Sequence, residues 1–195
     1  GTLKGIKAHQ LGSIVIEEVL QRSKIEREEI DEVIMGQVLT AGAGQNPDRQ
    51  AAINAGIPIS KPAYIINQVC GSGLRAVISG FQSIKLGESN KVISGGQENM
   101  SIAPNLIFNK ELKKNFENNL VDSMVYDGLL DVFNNYHMGV TAENVAKKFN
   151  ISRQDQDEFA LSSQKKSEAA AIKNKFEDEL IKINQDGNIL DKDEH

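Results

Sequence analysis

The sequence predicts an α/β protein in which helices and strands alternate, followed by a mainly helical C-terminal part. As far as residue 96, apolar residues at helical spacing alternate with short apolar runs of the kind found in buried strands. Glycine and proline separate these segments, as they do at the ends of helices and strands. Beyond about residue 104 the alternation stops. Such an alternation is typical of a layered α/β domain.

The first elements follow from spacing and from one proline. Apolar residues at helical spacing predict an amphipathic helix over residues 10–22. A compact apolar run predicts a buried strand over Glu32–Val38. A Gly/Ala loop over residues 40–46 leads to Pro47, which is well suited to a first helical turn and predicts a short helix to Ala55.

Three more segments complete the alternating part. Ala63–Val69 is predicted to be the second strand, and Leu74–Leu86 the helix that follows it, ended by Gly87. Lys91–Ser94 is predicted to be the third strand, broken by the pair Gly95-Gly96. Helix and strand therefore alternate three times.

The remaining residues predict helices. We expect an α/β domain over residues 1–103 and a mainly helical excursion from it over residues 104–195. Thr141 indicates the cap of one helix. Ser152-Arg153-Gln154-Asp155 resembles a capping box, which would begin a long polar helix ending at about Asn174.

Composition excludes several classes of protein. The net charge of −5 argues against nucleic-acid binding, and the absence of a long apolar run argues against a membrane span. The single cysteine excludes an internal disulfide and most cysteine-based metal sites, and it suits a reducing cytoplasm. No metal or bound cofactor is expected. The first residues show no signal-peptide pattern, and the sequence looks cut at both ends.

Cys70 is the candidate nucleophile. It lies between the end of a predicted strand and the start of a predicted helix, flanked by Gly71 and Gly73, which permit a sharp turn and a close substrate. The helix N-terminus favours a thiolate, and its free N–H groups are able to hold an oxyanion. The alternative is a small buried apolar residue, which is the commoner role of a lone cysteine. The residues alone leave both interpretations open.

Four segments resemble, in order and spacing, the signature blocks of the thiolase family. They are residues 36–52, 67–76, 95–101 and 136–146. The resemblance implies the thiolase fold, in which two α/β/α halves associate and a loop domain is inserted in the first. The chain would then be an incomplete N-terminal half without its first strand. Residues 104–195 would be the inserted, mainly helical loop domain, incomplete at its C-terminal end.

The resemblance also implies a reaction and a site. The reaction is the reversible Claisen condensation of two acetyl-CoA to acetoacetyl-CoA and CoA, with CoA thioesters as substrates and no cofactor. Cys70 matches the residue that takes the acetyl group as a thioester. His137 and Met138 match positions that line the acyl and pantetheine pocket, and Leu129 matches a position that contacts CoA. The alternatives are an exposed polar residue for His137 and ordinary core packing for the other two.

Other positions refine the resemblance. The Tyr-His-Met-Gly form at residues 136–139 resembles the biosynthetic, short-chain thiolases. Gln97 stands where the family usually has Met, and we interpret the neighbouring Glu98 as a structural carboxylate at a strand end. Residues 105–119 depart from the pattern of the biosynthetic members, in which this region carries the loop that pairs dimers into tetramers. A complete protein is expected to be a homodimer or tetramer.

The resemblance places two further catalytic groups in the C-terminal half, a His in a Gly-His-Pro segment and a second Cys. Neither occurs in residues 1–195, so we expect this chain alone to be inactive, with apolar strand edges and helix faces exposed. Three other hypotheses remain: a non-catalytic remnant or structural partner of a complementary chain, a protein with a reactive thiol, and a condensing enzyme of fatty-acid synthesis. The block at residues 136–146 disfavours the last.

Overall fold

The computed structural model describes residues 1–108, 120–185 and 187–193. The chain forms two compact units, Gly1–Gly128 and Leu129–His195, and each is described by itself.

The first unit is built on a parallel sheet of three strands. They are β1 (Glu32–Gly36), β2 (Ala63–Ile66) and β3 (Val92–Gly96), in the order β2-β1-β3. All five residues of the central strand β1 are buried. Gly36 is paired with Ile66 on one side and Gly96 on the other, so the three carboxyl ends lie at one edge. Ligands of open α/β sheets bind at this edge.

Three helices cover the two faces of this sheet. They are α1 (Ala8–Ser23), α2 (Pro47–Asn54) and α3 (Ser72–Leu86). Helices α1 and α2 pack on the face that carries Val33 and Met35, and most of the buried apolar side chains lie there. Helix α3 packs on the opposite face, against Gly36 and Gly96. This is the predicted α/β layering, and the predicted helices and strands of the alternating part are all present.

The predicted break of the third strand at Gly95-Gly96 is wrong. Strand β3 continues through both glycines, which pair with Met35 and Gly36. A Cβ atom on Gly96 would lie 3.5 Å from the Cα of Gly73 in α3. The glycines therefore allow the helix to approach the sheet closely, which is a known reason for glycine within a strand.

Helix α3 has an unusual distribution of side chains. The residues that face the sheet are small: Ser72, Ala76, Gly80 and Ser83. Its large apolar side chains point away from the sheet and are 38–75% exposed: Leu74, Val77, Ile78, Phe81, Ile84 and Leu86. Because an apolar helix face is stable only when it is covered, this outer face of α3 is an unfilled contact surface in the described part of the chain.

Asp48 is a buried carboxylate in the first turn of α2, with no exposed surface. One of its oxygens accepts a hydrogen bond from the backbone N–H of Met35 at 3.2 Å, and Tyr64 also donates its backbone N–H. Among the described residues the other oxygen has no partner. Burial raises the pKa of Asp48 to about 7, and the two hydrogen bonds offset this rise only in part.

Outside the main sheet, three short antiparallel pairs occur that the sequence did not predict. Strand β4 (Asn105–Leu106) pairs with β5 (Val121–Asp122) in the first unit. In the second unit β6 (Leu130–Asp131) pairs with β7 (Tyr136–His137). Strand β8 (Ile183–Gln185) pairs with β9 (Asn188–Leu190). One π-helical segment covers Met124–Leu129.

The second unit contains the two predicted C-terminal helices, α4 (Met138–Phe149) and α5 (Arg153–Ile172). The capping box of α5 is confirmed, since Asp155 N–H donates to the Ser152 hydroxyl oxygen at 3.1 Å and Ser152 N–H donates to the Asp155 carboxylate at 2.8 Å. The predicted cap at Thr141 is wrong. The cap lies four residues earlier, because the His137 ring accepts the N–H of Gly139 and caps the helix.

Two sequence predictions stay predictions. The domain boundary after residue 103 is one of them. The departure from the family pattern over residues 105–119 falls mostly outside the described residues, since residues 109–119 are not described. Within the part of the chain that the structure describes, no helix has both the length and the apolar character needed to cross a bilayer.

Candidate active site

Cys70 lies in the connection between β2 and α3, at the edge where the strands have their carboxyl ends. Its side chain is exposed and its thiol is free. The next residue, Gly71, is the N-cap of α3, so Cys70 lies two residues before the first residue of a helix of 15 residues. The first N–H groups of a helix have no partner within it, and its N-terminus carries a partial positive charge. The position therefore suits a thiolate and an oxyanion.

The residue before Cys70 has a strained backbone. Val69 has a φ of 48°, in the left-handed region that β-branched residues rarely adopt. Such a conformation costs about 1–3 kcal/mol and persists only when the surroundings enforce it. Strand β2 ends at Ile66, three residues before the predicted end at Val69. The N–H of Val69 does not join the sheet but donates to Asn67 Oδ1 at 3.0 Å.

Ser72 makes the other side-chain contacts that hold this turn. Its hydroxyl donates to the carbonyl oxygen of Val69 at 2.6 Å and accepts the N–H of Gln68 at 2.9 Å. Only 4% of Ser72 is exposed. The hydroxyl thus joins both sides of the turn that carries Cys70.

Glycines bring the start of α3 against the ends of the strands. A Cβ atom on Gly36 would lie 2.4 Å from the backbone N of Gly73, a distance that real Cβ atoms do not reach. A Cβ on Gly96 would lie 3.4 Å from the carbonyl oxygen of Gly36. The helix N-terminus next to Cys70 therefore depends on glycine in β1.

Glu98 has a structural role, as interpreted from the sequence. Its carboxylate accepts the backbone N–H groups of Val38 at 2.9 Å and Leu39 at 3.0 Å. Those bonds draw the chain out of the sheet, and β1 accordingly ends at Gly36 rather than at Val38 as predicted.

Gln97 is accommodated by a buried amide pair. Its Nε2 donates to Gln37 Oε1 at 2.9 Å, and Gln37 Nε2 donates to the carbonyl oxygen of Leu39 at 2.8 Å. Gly12 in α1 leaves space for it, since a Cβ there would lie 1.8 Å from Gln97 Oε1. Gln97 Nε2 is thus paired, whereas its Oε1, next to Gly12, is buried and has no hydrogen-bond partner among the described residues.

The second unit brings the other three predicted site residues together. Leu130 pairs with His137 in the β6–β7 hairpin, so Leu129 directly precedes and Met138 directly follows this pair at the open end of the hairpin. Leu129 is half-buried, and Met138 is 46% exposed, so neither is a fully buried core residue. His137 is exposed, and its Nδ1 accepts the N–H of Gly139 at 3.0 Å. In the neutral ring this leaves the proton on Nε2, free to donate.

Asp131 shapes the loop of this hairpin. Its carboxylate accepts the backbone N–H groups of Phe133 at 2.9 Å and Asn134 at 3.1 Å, together with the side-chain amide of Asn134 at 2.7 Å. The Asn134 hydrogen bonds lower the pKa of Asp131. The loop is therefore fixed by an acceptor that is ionised at neutral pH.

Cys70 belongs to the first unit, whereas Leu129, His137 and Met138 belong to the second. The sequence predicts Cys70 and the helix that follows it, but not the left-handed conformation of Val69 or the hydrogen bonds of Ser72. A β-branched residue directly before Cys-Gly, with a serine two positions after the cysteine, is the signal that could have indicated a tight turn with a side-chain to backbone hydrogen bond.

A family model described as the N-terminal domain of thiolases matches residues 1–195 of the chain. The chain belongs to the thiolase family. An acetyl-CoA acetyltransferase of Cupriavidus necator is 52% identical over 94% of this chain and 47% of its own length. A probable acetyl-CoA acetyltransferase of Escherichia coli is 50% identical over 100% of this chain and 51% of its own length. A cytosolic acetyl-CoA acetyltransferase of Rattus norvegicus is 51% identical over 94% of this chain and 46% of its own length.

The predicted thiolase membership is thereby confirmed, and with it the α/β fold class of a thiolase N-terminal domain. The chain spans about half the length of the curated relatives it matches. In this thiolase domain, the exposed thiol at the start of α3 is the single cysteine of the 195 residues.

Proposed function

We propose that residues 1–195 are the N-terminal half of an acetyl-CoA acetyltransferase, with Cys70 as the acyl acceptor. The observation that carries the proposal is the position of the only cysteine, exposed at the N-terminus of α3 in a thiolase domain. The names of the relatives support acetyl-CoA as the substrate.

The first step is acyl transfer to Cys70. The thiolate attacks the carbonyl carbon of acetyl-CoA, an S–C bond to Cys70 forms, and the bond from carbon to the CoA sulfur breaks. CoA leaves as a thiolate and takes up a proton. The positive end of the α3 dipole, and N–H groups of its first turn without a partner inside the helix, would stabilise the oxyanion that develops on the carbonyl oxygen.

The second step forms a carbon–carbon bond. A second acetyl-CoA loses a methyl proton to a base, and the resulting carbanion attacks the acetyl carbonyl on Cys70. The S–C bond to Cys70 breaks, acetoacetyl-CoA leaves, and the Cys70 thiolate is restored. Residues 1–195 hold no second cysteine to act as this base, so we propose that they do not complete the cycle alone.

We propose that Leu129, His137 and Met138 contact the CoA thioester. Apolar side chains from both sides of the hairpin would cover the pantetheine, and the free Nε2–H of His137 would donate to a polar group of the substrate. CoA is a substrate in this scheme, and no bound cofactor is needed. Cytoplasmic location and a homodimer or tetramer of the whole enzyme are part of the same proposal.

The outer face of α3 is proposed to receive the other half of the enzyme. The relatives are about twice as long as this chain, and the face presents six large apolar side chains without cover. An apolar groove of about 550 Å³ also lies beside β3, lined by Val15, Val19 and Ile84 among others. Large exposed apolar patches on soluble proteins mark sites of interaction.

Turnover measurements test the proposal. The 195-residue chain is incubated with acetoacetyl-CoA and CoA, and the loss of enolate absorbance is followed. We expect no turnover from the chain alone. We expect turnover when it is co-expressed with the C-terminal half of the Cupriavidus necator relative, and none when Cys70→Ala replaces the wild type.

A second measurement keeps the test decisive if the hybrid does not assemble. Acetyl-CoA is incubated with the chain alone, and the peptide containing Cys70 is examined by mass spectrometry for one hydroxylamine-sensitive acetyl group. Native-like turnover by the chain alone would contradict the proposed division of function. Turnover by the Cys70→Ala hybrid, or acetylation spread over lysines alone, would contradict the role of Cys70.

A further inference from the structure

We propose that Ser72 is a positioning residue for Cys70: its buried hydroxyl holds Val69 in the left-handed conformation that presents the thiol at the N-terminus of α3. The inference rests on the proposed function, because it assigns a role relative to Cys70 as acyl acceptor.

The hydrogen bonds of Ser72 converge on one short turn. The hydroxyl donates to Val69 O at 2.6 Å and accepts Gln68 N–H at 2.9 Å, while the N–H of Ser72 donates to the same Val69 oxygen at 3.1 Å. Gly71 N–H adds a bond to Gln68 O at 3.0 Å. Of these contacts, only those of the hydroxyl come from a side chain, and so only they can be removed without altering the backbone.

Burial makes the hydroxyl difficult to replace. Ser72 is 4% exposed, so water has little access to the position. Without the hydroxyl, Gln68 N–H would lose its acceptor and Val69 O would keep only its bond from the Ser72 N–H. The remaining side-chain contact comes from Asn67, which is exposed and competes with water.

Because the backbone of Val69 is strained, loss of the Ser72 hydroxyl should change its conformation. A valine returns readily from a φ of 48° to the extended or helical region once its surroundings allow it. That change would rotate the peptide that leads into Cys70 and would move the thiol relative to the first turn of α3. The hydroxyl of Ser72 therefore acts on reactivity through the backbone of Val69, without touching the substrate.

Alkylation of the full 195-residue chain tests the inference, because Cys70 is the only thiol. The rate with iodoacetamide is measured from pH 5 to 9 for wild type and Ser72→Ala. We expect the variant to react about fivefold more slowly at neutral pH. Ser83→Ala is the matched control, since it removes another buried hydroxyl of α3, bonded to Glu32. It should change the rate by less than about twofold.

A double-mutant cycle separates positioning from general stability. Glycine adopts positive φ without strain, so in a Val69→Gly background the loss of the Ser72 hydroxyl should change the rate by less than about twofold. An equal loss in both backgrounds would overturn the inference. If Ser72→Ala does not fold, the comparison of V69G with V69G/S72A is decisive. A rate of the double variant far below that of V69G then contradicts the role of Val69.

The same data distinguish failure of the two proposals. If the wild-type thiol reacts no faster than a small free thiol at any pH, Cys70 is not activated and the proposed function fails together with the inference. If the wild-type thiol is activated and Ser72→Ala is equally reactive, the proposed function stands and the role of Ser72 is wrong.

Discussion

Asp48 makes the stability of the first unit depend on pH. Its pKa is raised to about 7 in the folded chain, chiefly by burial, whereas in the unfolded chain it is near the ordinary value of 3.8. The folded state therefore binds the extra proton, and stability from this group is complete below pH 3.8 and is lost as pH rises through about 7. Between pH 5 and 6 the free energy of unfolding should fall by up to about 1.4 kcal/mol per pH unit.

Urea denaturation at pH 5 to 8 measures this effect, with Asp48→Asn as the variant that removes it. We expect the free energy of unfolding to change less with pH in that variant than in the wild type. Asp31→Asn is the control, because hydrogen bonds from the backbone of Asn90 and Lys91 lower the pKa of Asp31. The stabilisation by Asp31 is lost only as pH falls through the acidic range. In Asp31→Asn the free energy of unfolding should therefore change with pH between 5 and 8 as it does in the wild type. An unchanged slope in Asp48→Asn would contradict the assignment.

At the residue scale, the sequence predicts identity better than conformation. Cys70 could be found from its flanking glycines and its place between a strand and a helix. The positive φ of Val69 could not be predicted from the sequence, because it accompanies hydrogen bonds of Ser72 and Asn67 that exist only in the folded turn. Asp48 likewise shows no sign in the sequence of its burial, which depends on how α2 packs over the sheet.

At the scale of elements, the contact between β1 and α3 should be sensitive to one methyl group. Gly36→Ala would place a Cβ 2.4 Å from backbone atoms of Gly73 and Ser72, which cannot move aside without shifting α3. We expect a loss of at least about 3 kcal/mol in the free energy of unfolding, or no folded protein. Denaturant unfolding followed by circular dichroism measures it.

Gly73→Ala is the matched control on the other side of that contact. Its Cβ would lie 3.9 Å from Gly95 O, an ordinary contact distance, and alanine favours a helix more than glycine does. The change should stay within about 1 kcal/mol. Equal destabilisation by the two variants would mean that the close approach of β1 and α3 is not the cause.

The elements that the sequence predicted well are those with strong periodicity. Helices α1 and α3 are confirmed to within two residues at each end. The short hairpins were not predicted, because they carry no periodic signal in the sequence. Helix α4 begins at Met138 because a histidine ring serves as its cap, a role usually taken by Ser, Thr, Asp or Asn. Strand β3 was predicted too short because glycine usually ends a strand, whereas here it permits close packing.

For the whole molecule, the outer face of α3 should matter only when the other half is present. Phe81→Glu replaces a side chain that is 60% exposed and sits four residues before Lys85, a favourable spacing for a pair of opposite charges. We expect the chain alone to keep its stability and become more soluble. Turnover of the hybrid with the C-terminal half of a relative should be lost.

Ile59→Glu is the control for this prediction, since Ile59 is 82% exposed but lies outside α3, in the loop before β2. It should leave turnover of the hybrid intact. The measurements are the soluble fraction, the urea midpoint and the assay with acetoacetyl-CoA. Retained turnover in Phe81→Glu would show that the outer face of α3 is not where the second half packs.

The outer face of α3 also has a consequence during synthesis. In a protein twice as long as this chain, as its relatives are, this helix leaves the ribosome well before the half proposed to cover it. At about 5–20 residues per second, making another 200 residues or so takes on the order of 10–40 s. For that time six large apolar side chains face the solvent. A nascent thiolase should therefore be a client of chaperones until its second half emerges.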